Sequence, residues 1–243
     1  MEGAGDVLGH RPAGGLRTAR ALGIAAIALT CAGVAFAALV PIAPFSGAAP
    51  GRALAPGWEE VALPRIRRPD FALVQDEGTT VLRIVADDAA GSVAHRLAPG
   101  APGNSMLAWR WKVDRVVEGA DLARKDGDDF AARVYVTFDV PEEALSLGER
   151  VRIRLAKLFY GADLPTAAIC YVWDNRHPVG TSVWNAYTSR VRMVVLRSGA
   201  SDAGRWASES RDVGSDFRQA FGQSAPAITA IALSADTDQT HER

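Results

Sequence analysis

The stretch Phe130-Ala-Ala-Arg-Val-Tyr-Val-Thr-Phe138 decides the fold class. Phe130, Ala132, Val134, Val136 and Phe138 share one side of an extended chain; Arg133, Tyr135 and Thr137 take the other. A period of two belongs to a strand with one buried face, whereas a helix repeats its apolar residues three and four apart. The alternation recurs outward in both directions. Met106–Val113 puts Leu107, Trp109, Trp111 and Val113 on one face, opposite Ala108, Arg110 and Lys112. Thr79–Ala86 sends Leu82, Ile84 and Ala86 inward and Arg83 outward; Arg190–Leu196 sends Val191, Met193 and Val195 inward and Arg190 and Arg192 outward. Weaker strands are expected at Phe71–Val74, Ser92–Leu97, Trp206–Arg211 and Ile228–Ser234. Thr166–Trp173 is apolar on both sides, as in a strand covered on both faces.

Two segments break this rhythm. Leu147, Val151, Leu155, Leu158 and Phe159 recur at helical spacing between Pro141 and Tyr160, with Pro141 placed to start the helix and Gly161 to stop it. Ser215–Phe221 reads as a shorter helical turn, capped by Ser215 and Gly222. The helices that a parallel α/β sheet needs between its strands are missing. The expected fold is therefore mostly β: an antiparallel β-sandwich of the jelly-roll kind with one inserted helix, formed by residues 58–243.

The first sixty residues carry a cellular address. Arg11, Arg17 and Arg20 precede the uncharged run Ala21–Val40, an N-terminal apolar helix about 30 Å long if it spans a bilayer. Ala35-Phe36-Ala37 offers a cleavage site for an export leader. The run is thus a signal peptide or an uncleaved membrane anchor, and either leaves the rest outside the cytoplasm, periplasmic or held at the cytoplasmic membrane with membrane contact only through residues 21–40. Residues 41–57, with four Pro, three Gly and five Ala, read as a linker. The two cysteines, Cys31 and Cys170, exclude a disulfide scaffold. A charge balance of 27 Lys+Arg against 28 Asp+Glu argues against a nucleic-acid partner bound through bulk positive charge.

Catalytic motifs are sparse. The four histidines are far apart, and no H-E-x-x-H, G-x-S-x-G, phosphate loop or dinucleotide fingerprint is present. Carboxylates gather twice: Asp126, Asp128 and Asp129 around Gly127, and Asp236 and Asp238 around Thr237. The first group could hold Ca²⁺, which takes clustered oxygen ligands, or could be a solvated turn. Asp129, Glu209, Asp212 and Asp236 could supply a glycosidase carboxylate pair. The outward Arg83, Arg110, Lys112, Arg133, Arg190 and Arg192, with Tyr135 beside them, would form a cationic face for an acidic ligand if several of their strands share a sheet; otherwise they pair with neighbouring Asp and Glu. Trp173, Trp184 and Tyr187, around the loop after Asp174, are candidate sugar platforms.

Three runs, Lys125–Asp139 (KDGDDFAARVYVTFD), Tyr171–Asn175 (YVWDN) with Pro178–Thr181 (PVGT), and Ser234–Thr240 (SADTDQT), occur in this order. Arg197-Ser-Gly199, Trp206 and Arg211–Gly222 (RDVGSDFRQAFG) lie between them. Together they resemble the bacterial family catalogued as domain of unknown function 3047, over most of residues 58–240. The resemblance implies export, a β-sandwich like the galactose-binding modules, and no established activity. It also implies a further strand beyond Thr240, so that Ile228–Ser234 would end its sheet unpaired at Arg243. The functional expectation is an exported, non-catalytic module binding a carbohydrate or other cell-envelope ligand. A polysaccharide-processing enzyme working through loop carboxylates and a structural envelope module are the alternatives.

Overall fold

The computed structural model describes residues 42–150 and 165–243. Eleven strands are present among them: β1 Trp58–Ala62, β2 Asp70–Asp76, β3 Thr79–Val85, β4 Ala90–Arg96, β5 Met106–Trp111, β6 Phe130–Phe138, β7 Ala167–Asp174, β8 Ser182–Asn185, β9 Thr188–Ser198, β10 Ala207–Asp212 and β11 Ile228–Asp236. The protein is mostly β, with few helices. Every strand read from alternation is there; β1 and β8 are additions that the sequence did not signal.

Seven strands form one sheet in the order β1-β4-β11-β6-β7-β9-β8, while β5 pairs with β10 and β2 with β3. The large sheet is mixed, which corrects the expectation of an all-antiparallel fold: β7 and β9 run parallel. The cause lies in the connection. The chain leaves β7 through residues 175–181, makes β8 as the sheet edge, and turns back as β9 into the space between β8 and β7. That excursion supplies the long crossover that a parallel pair requires.

Register sorts the side chains into two layers. Val93, Leu233, Val134, Tyr171 and Val194 sit side by side across β4, β11, β6, β7 and β9. This face packs against Trp111 of β5, Ala207 of β10 and the helix Val213–Phe221, through Val213 and Phe217. At the β4 end the same face meets Phe71, Leu73, Leu82 and Ile84 of the β2–β3 pair. The opposite face carries Cys170, Val172, Met193 and Val195 beneath Leu122 and Phe130. Hence β7 is buried along its whole length, as its two-sided apolar pattern predicts.

Three local readings change. The short helix runs from Val213, not Ser215: Asp212 is the N-cap, its carboxylate accepting from Ser215 N at 2.9 Å and from the Ser215 hydroxyl at 2.8 Å, so Ser215 is a donor inside the first turn rather than the cap. Gly222 stops the helix at φ 72°, a left-handed conformation that suits glycine. The long helix does not begin at Pro141. Glu142–Ala144 is a 3₁₀ turn, and Ser146 then forms a capping box with Glu149, the hydroxyl accepting from Glu149 N and the carboxylate from Ser146 N. Residues 147–150 are helical; the rest of that predicted helix lies outside the described residues.

The proposed linker is packed in its described part. Trp58 donates its indole N–H to Ala43 O at 2.9 Å and lies 4.6 Å from the Phe45 ring, Ala55 is buried beside Phe71, and Gly51 bridges Leu73. The apolar run 21–40 lies outside the described residues, and no helix among the described residues is long and apolar enough to cross a membrane. Nor is β11 an unpaired edge. It runs between β4 and β6, bonded to both, and the sheet's edges are β1 and β8.

Candidate functional site

Strand pairing brings the two acidic runs together. Asp236, at the end of β11, is opposite Phe130, at the start of β6, so the loop before β6 and the tail after β11 meet. The loop is shaped at Gly127. A Cβ there would lie 2.9 Å from Asp121 N, whose N–H donates to Gly127 O, so only glycine lets the two segments approach this closely.

Arg133 stands in the middle, with its side chain 3% exposed. This corrects the expectation that it points to water and contributes to a surface ligand site. Both of its faces are used: Nε donates to Asp236 Oδ1 at 3.0 Å, Nη2 to Asp236 Oδ2 and to Asp128 O, and Nη1 to the Tyr135 hydroxyl at 3.0 Å. Its guanidinium stacks 4.4 Å from the Phe130 ring. The strand alternates as read, but loop and tail roof this side of the sheet, and a roofed charge must be paired. Burial opposes the charge on Arg133, yet Asp236, Tyr135 and Asp128 hold it firmly protonated.

The four carboxylates differ. Asp128 accepts both oxygens' worth of hydrogen bonds from Asn185 Nδ2, at 3.1 Å each. Asp129 is fully buried and accepts from the backbone N–H groups of Gln239 and Thr240. Asp238, half-buried, accepts from the Gln239 amide. One carboxylate oxygen from each of Asp129, Asp236 and Asp238 lies within 4.8 Å of the others. Burial, reinforced by Asp128, Asp129 and Asp238 and opposed by Arg133, pushes the Asp236 carboxyl up to about 7. Burial and Asp129 raise Asp238 as well. Four carboxylates against one guanidinium leave the cluster short of positive charge, and its three converging oxygens are of the kind a hard cation takes. Asp126 is not part of it: exposed, it pairs with Arg124. The metal-ligand set drawn from neighbours in sequence is therefore split, and Asp129 has partners a hundred residues away.

Beside the cluster stands the β8–β9 turn. Tyr187 is 56% exposed. Its hydroxyl donates to Lys125 O at 2.8 Å, which fixes the ring at the rim, and burial together with Asp128, Asp238 and Asp129 raises its hydroxyl pKa. Trp184 is 38% exposed, but Arg192 stacks on it at 4.9 Å and Phe221 meets it edge-on at 5.3 Å. Trp173 is 1% exposed among core rings, so it cannot be a surface platform; in a strand covered on both faces its parity leads to the interior either way.

The expected cationic face is dispersed. Arg192 donates to Ser182 Oγ and Ser182 O, both at 2.8 Å, at the sheet edge. Arg110 lies on β5, in the separate β5–β10 pair, and Lys112 just after it; both stack on Trp206, and Lys112 also pairs with Asp76. With Arg133 inside, these residues do not share a surface. Of the other carboxylates considered, Glu209 pairs with Arg197 and Asp212 caps a helix. Sequence reasoning missed Asn185, Gln239 and Thr240, which hold the aspartates in place. The available hint was Asn185 itself, a residue that favours turns because its side chain bonds its own backbone two residues on, as it does here to Tyr187 N.

The fold and this cluster define a mostly β domain with mixed sheets and a polar, acid-rich centre at one end of its main sheet. The family model of proteins of unknown function termed DUF3047 matches residues 56–243, and the chain belongs to that family. Comparison with curated proteins finds no match.

Proposed function

We propose that the protein is an exported, non-catalytic ligand-binding module of β-sandwich, jelly-roll type, and that its ligand is a carbohydrate of the cell envelope. The observation that carries this reading is the exposed Tyr187 ring, fixed by its hydroxyl at the rim of the Asp128–Asp129–Asp236–Asp238 cluster. An aromatic face receives the C–H face of a sugar ring, and Asp238, the one partly exposed carboxylate of the cluster, is the acceptor for its hydroxyls. The layering of the β2–β3 and β5–β10 pairs on one face of the main sheet supports the sandwich reading. The basic flank and apolar run of residues 1–40 support export.

The raised Asp236 carboxyl favours the enzyme alternative, since a glycosidase acid needs such a shift. Its position does not: both oxygens accept from Arg133, and Oδ1 also accepts from Phe130 N. The test is a glycan array probed with the full chain, with and without Ca²⁺, beside Tyr187→Ala. Retention on a defined glycan class that is lost in Tyr187→Ala at unchanged melting supports the reading. No retention in either condition overturns it, and release of shortened glycans would replace it with the enzyme.

A further inference from the structure

Most arginines among the described residues are committed to a partner within the molecule, as Arg124 is to Asp126, Arg190 to Glu149 and Arg211 to Asp216. Arg68 and Arg243 are exceptions, exposed and with no side-chain hydrogen bond or ion pair among the described residues. They meet in one place. With Arg67, Asp70, Val85 and Asp87 they line a surface hollow of about 130 Å³, between the β1–β2 connection, the end of β3 and the tail after β11. The tail is tied down there: Asp88 N donates to Glu242 O at 2.8 Å, and the His241 ring meets Asp88 Oδ1 at 2.6 Å.

The two carboxylates in the lining do not neutralise these arginines. Asp87 is engaged by Arg67, whose Nη1 donates to its carbonyl and carboxylate at 2.8 and 3.1 Å, and Asp70 pairs with Arg52 at 3.6 Å. Arg83, exposed and likewise without a side-chain partner, lies two residues before Val85 on the same face of β3. The result is a concave spot with two guanidinium groups that no Asp or Glu side chain among the described residues pairs with, on a chain whose net charge is −1. A concave wall concentrates that field, and a guanidinium fork matches an oxyanion through two parallel N–H donors. Arg67, held in place by Asp87, adds guanidinium donors at the rim with little further ordering to lose, but no net charge.

We propose that this hollow is an oxyanion site, with Arg68 and Arg243 as the binding forks, for a phosphate, sulfate or carboxylate group carried on a soluble ligand. It shares no residue with the Tyr187 rim and does not depend on the carbohydrate reading.

The test uses the full chain titrated with inorganic phosphate, sulfate and glucuronate at constant ionic strength. Chloride is the control, and the Arg side-chain Nε–H resonances are followed by NMR. Saturable shifts of Arg67, Arg68 and Arg243 with at least one oxyanion, and not with chloride, are expected; which of the three probes binds identifies the group. In the double variant Arg68→Ala, Arg243→Ala the affinity should fall about tenfold, the loss of two exposed charge contacts, with melting unchanged. Tyr187→Ala should bind the probe as the natural chain does. Equal shifts with chloride, unchanged affinity in the double variant, or loss of binding in Tyr187→Ala would each overturn the proposal. Binding to anionic phospholipid vesicles with no response to the soluble probes would overturn it in favour of a membrane surface.

Discussion

Replacing Arg133 with methionine keeps an unbranched side chain over the Phe130 ring while removing the one guanidinium among four aspartates. Its removal leaves Asp236, the Asp128 carbonyl and the Tyr135 hydroxyl without their buried donor, and breaking such a buried network from one side costs about 3–5 kcal/mol. The structure also says how that loss should vary with pH. Asp236 is raised in the fold, to about 7, so the folded state holds a proton that the unfolded chain releases near its ordinary value of 3.8. Its contribution to stability is therefore full at low pH and declines as pH rises towards 7. In the natural chain the decline ends there, since Asp236 then ionises beside Arg133. Without Arg133 the carboxyl is pushed higher still, and the decline continues at about 1.4 kcal/mol per pH unit. We expect a loss of about 3 kcal/mol at pH 6, growing to about 5 kcal/mol at pH 8.5. Urea unfolding at the two pH values measures both, and adding Asp236→Asn to the variant should abolish the growth. A loss below about 1 kcal/mol at both pH values would mean that the pair behaves as an exposed one, and the buried network described here would be wrong.

Trp173→Ala should cost about 3–5 kcal/mol in urea unfolding, the cost of emptying a core site rather than removing a platform. Asp212→Ala removes the cap of the Val213–Phe221 helix and should cost about 1 kcal/mol, with the loss concentrated in amide exchange of that helix's first turn. Gly127→Ala forces a Cβ against Asp121 N and should destabilise by about 1–3 kcal/mol in the same unfolding assay, while shifting the amide resonances of the Asp128–Asp129 loop.

Alternation revealed β3, β5, β6 and β9 because apolar residues recur at every second position in each, even where, as in β6 around Arg133, the other side is covered too. β1 and β8 escaped for opposite reasons: Trp58–Ala62 buries only its first residue, and Ser182–Asn185 is four residues long with none fully buried. The parallel β7–β9 pair was hidden because periodicity gives a strand's faces but not its neighbours. The same limit governs the site. Arg133 sits at outward parity, yet which segments roof that face depends on the pairing of β6 with β11, over a hundred residues away. Both acidic runs were visible as clusters; that they face each other across one arginine was not. Tyr187 was visible as a platform candidate, and it is exposed where Trp173 is not, because it falls in a hairpin turn rather than in a two-sided strand.

The place of β11 has a further consequence for how the molecule comes into being. β11, the last of the described strands, is inserted between β4 and β6, so it joins one group of strands to the other. Until it has been synthesised, a growing chain holds β1–β4 on one side and β6, β7, β9 and β8 on the other, with no ladder between them. Folding must then close contacts across most of the sequence at once, which makes it slow. In the interval β4 and β6 each present an open edge, the kind of surface on which strands of another chain can build. A nascent chain of this protein is thus at its most vulnerable just before β11 emerges.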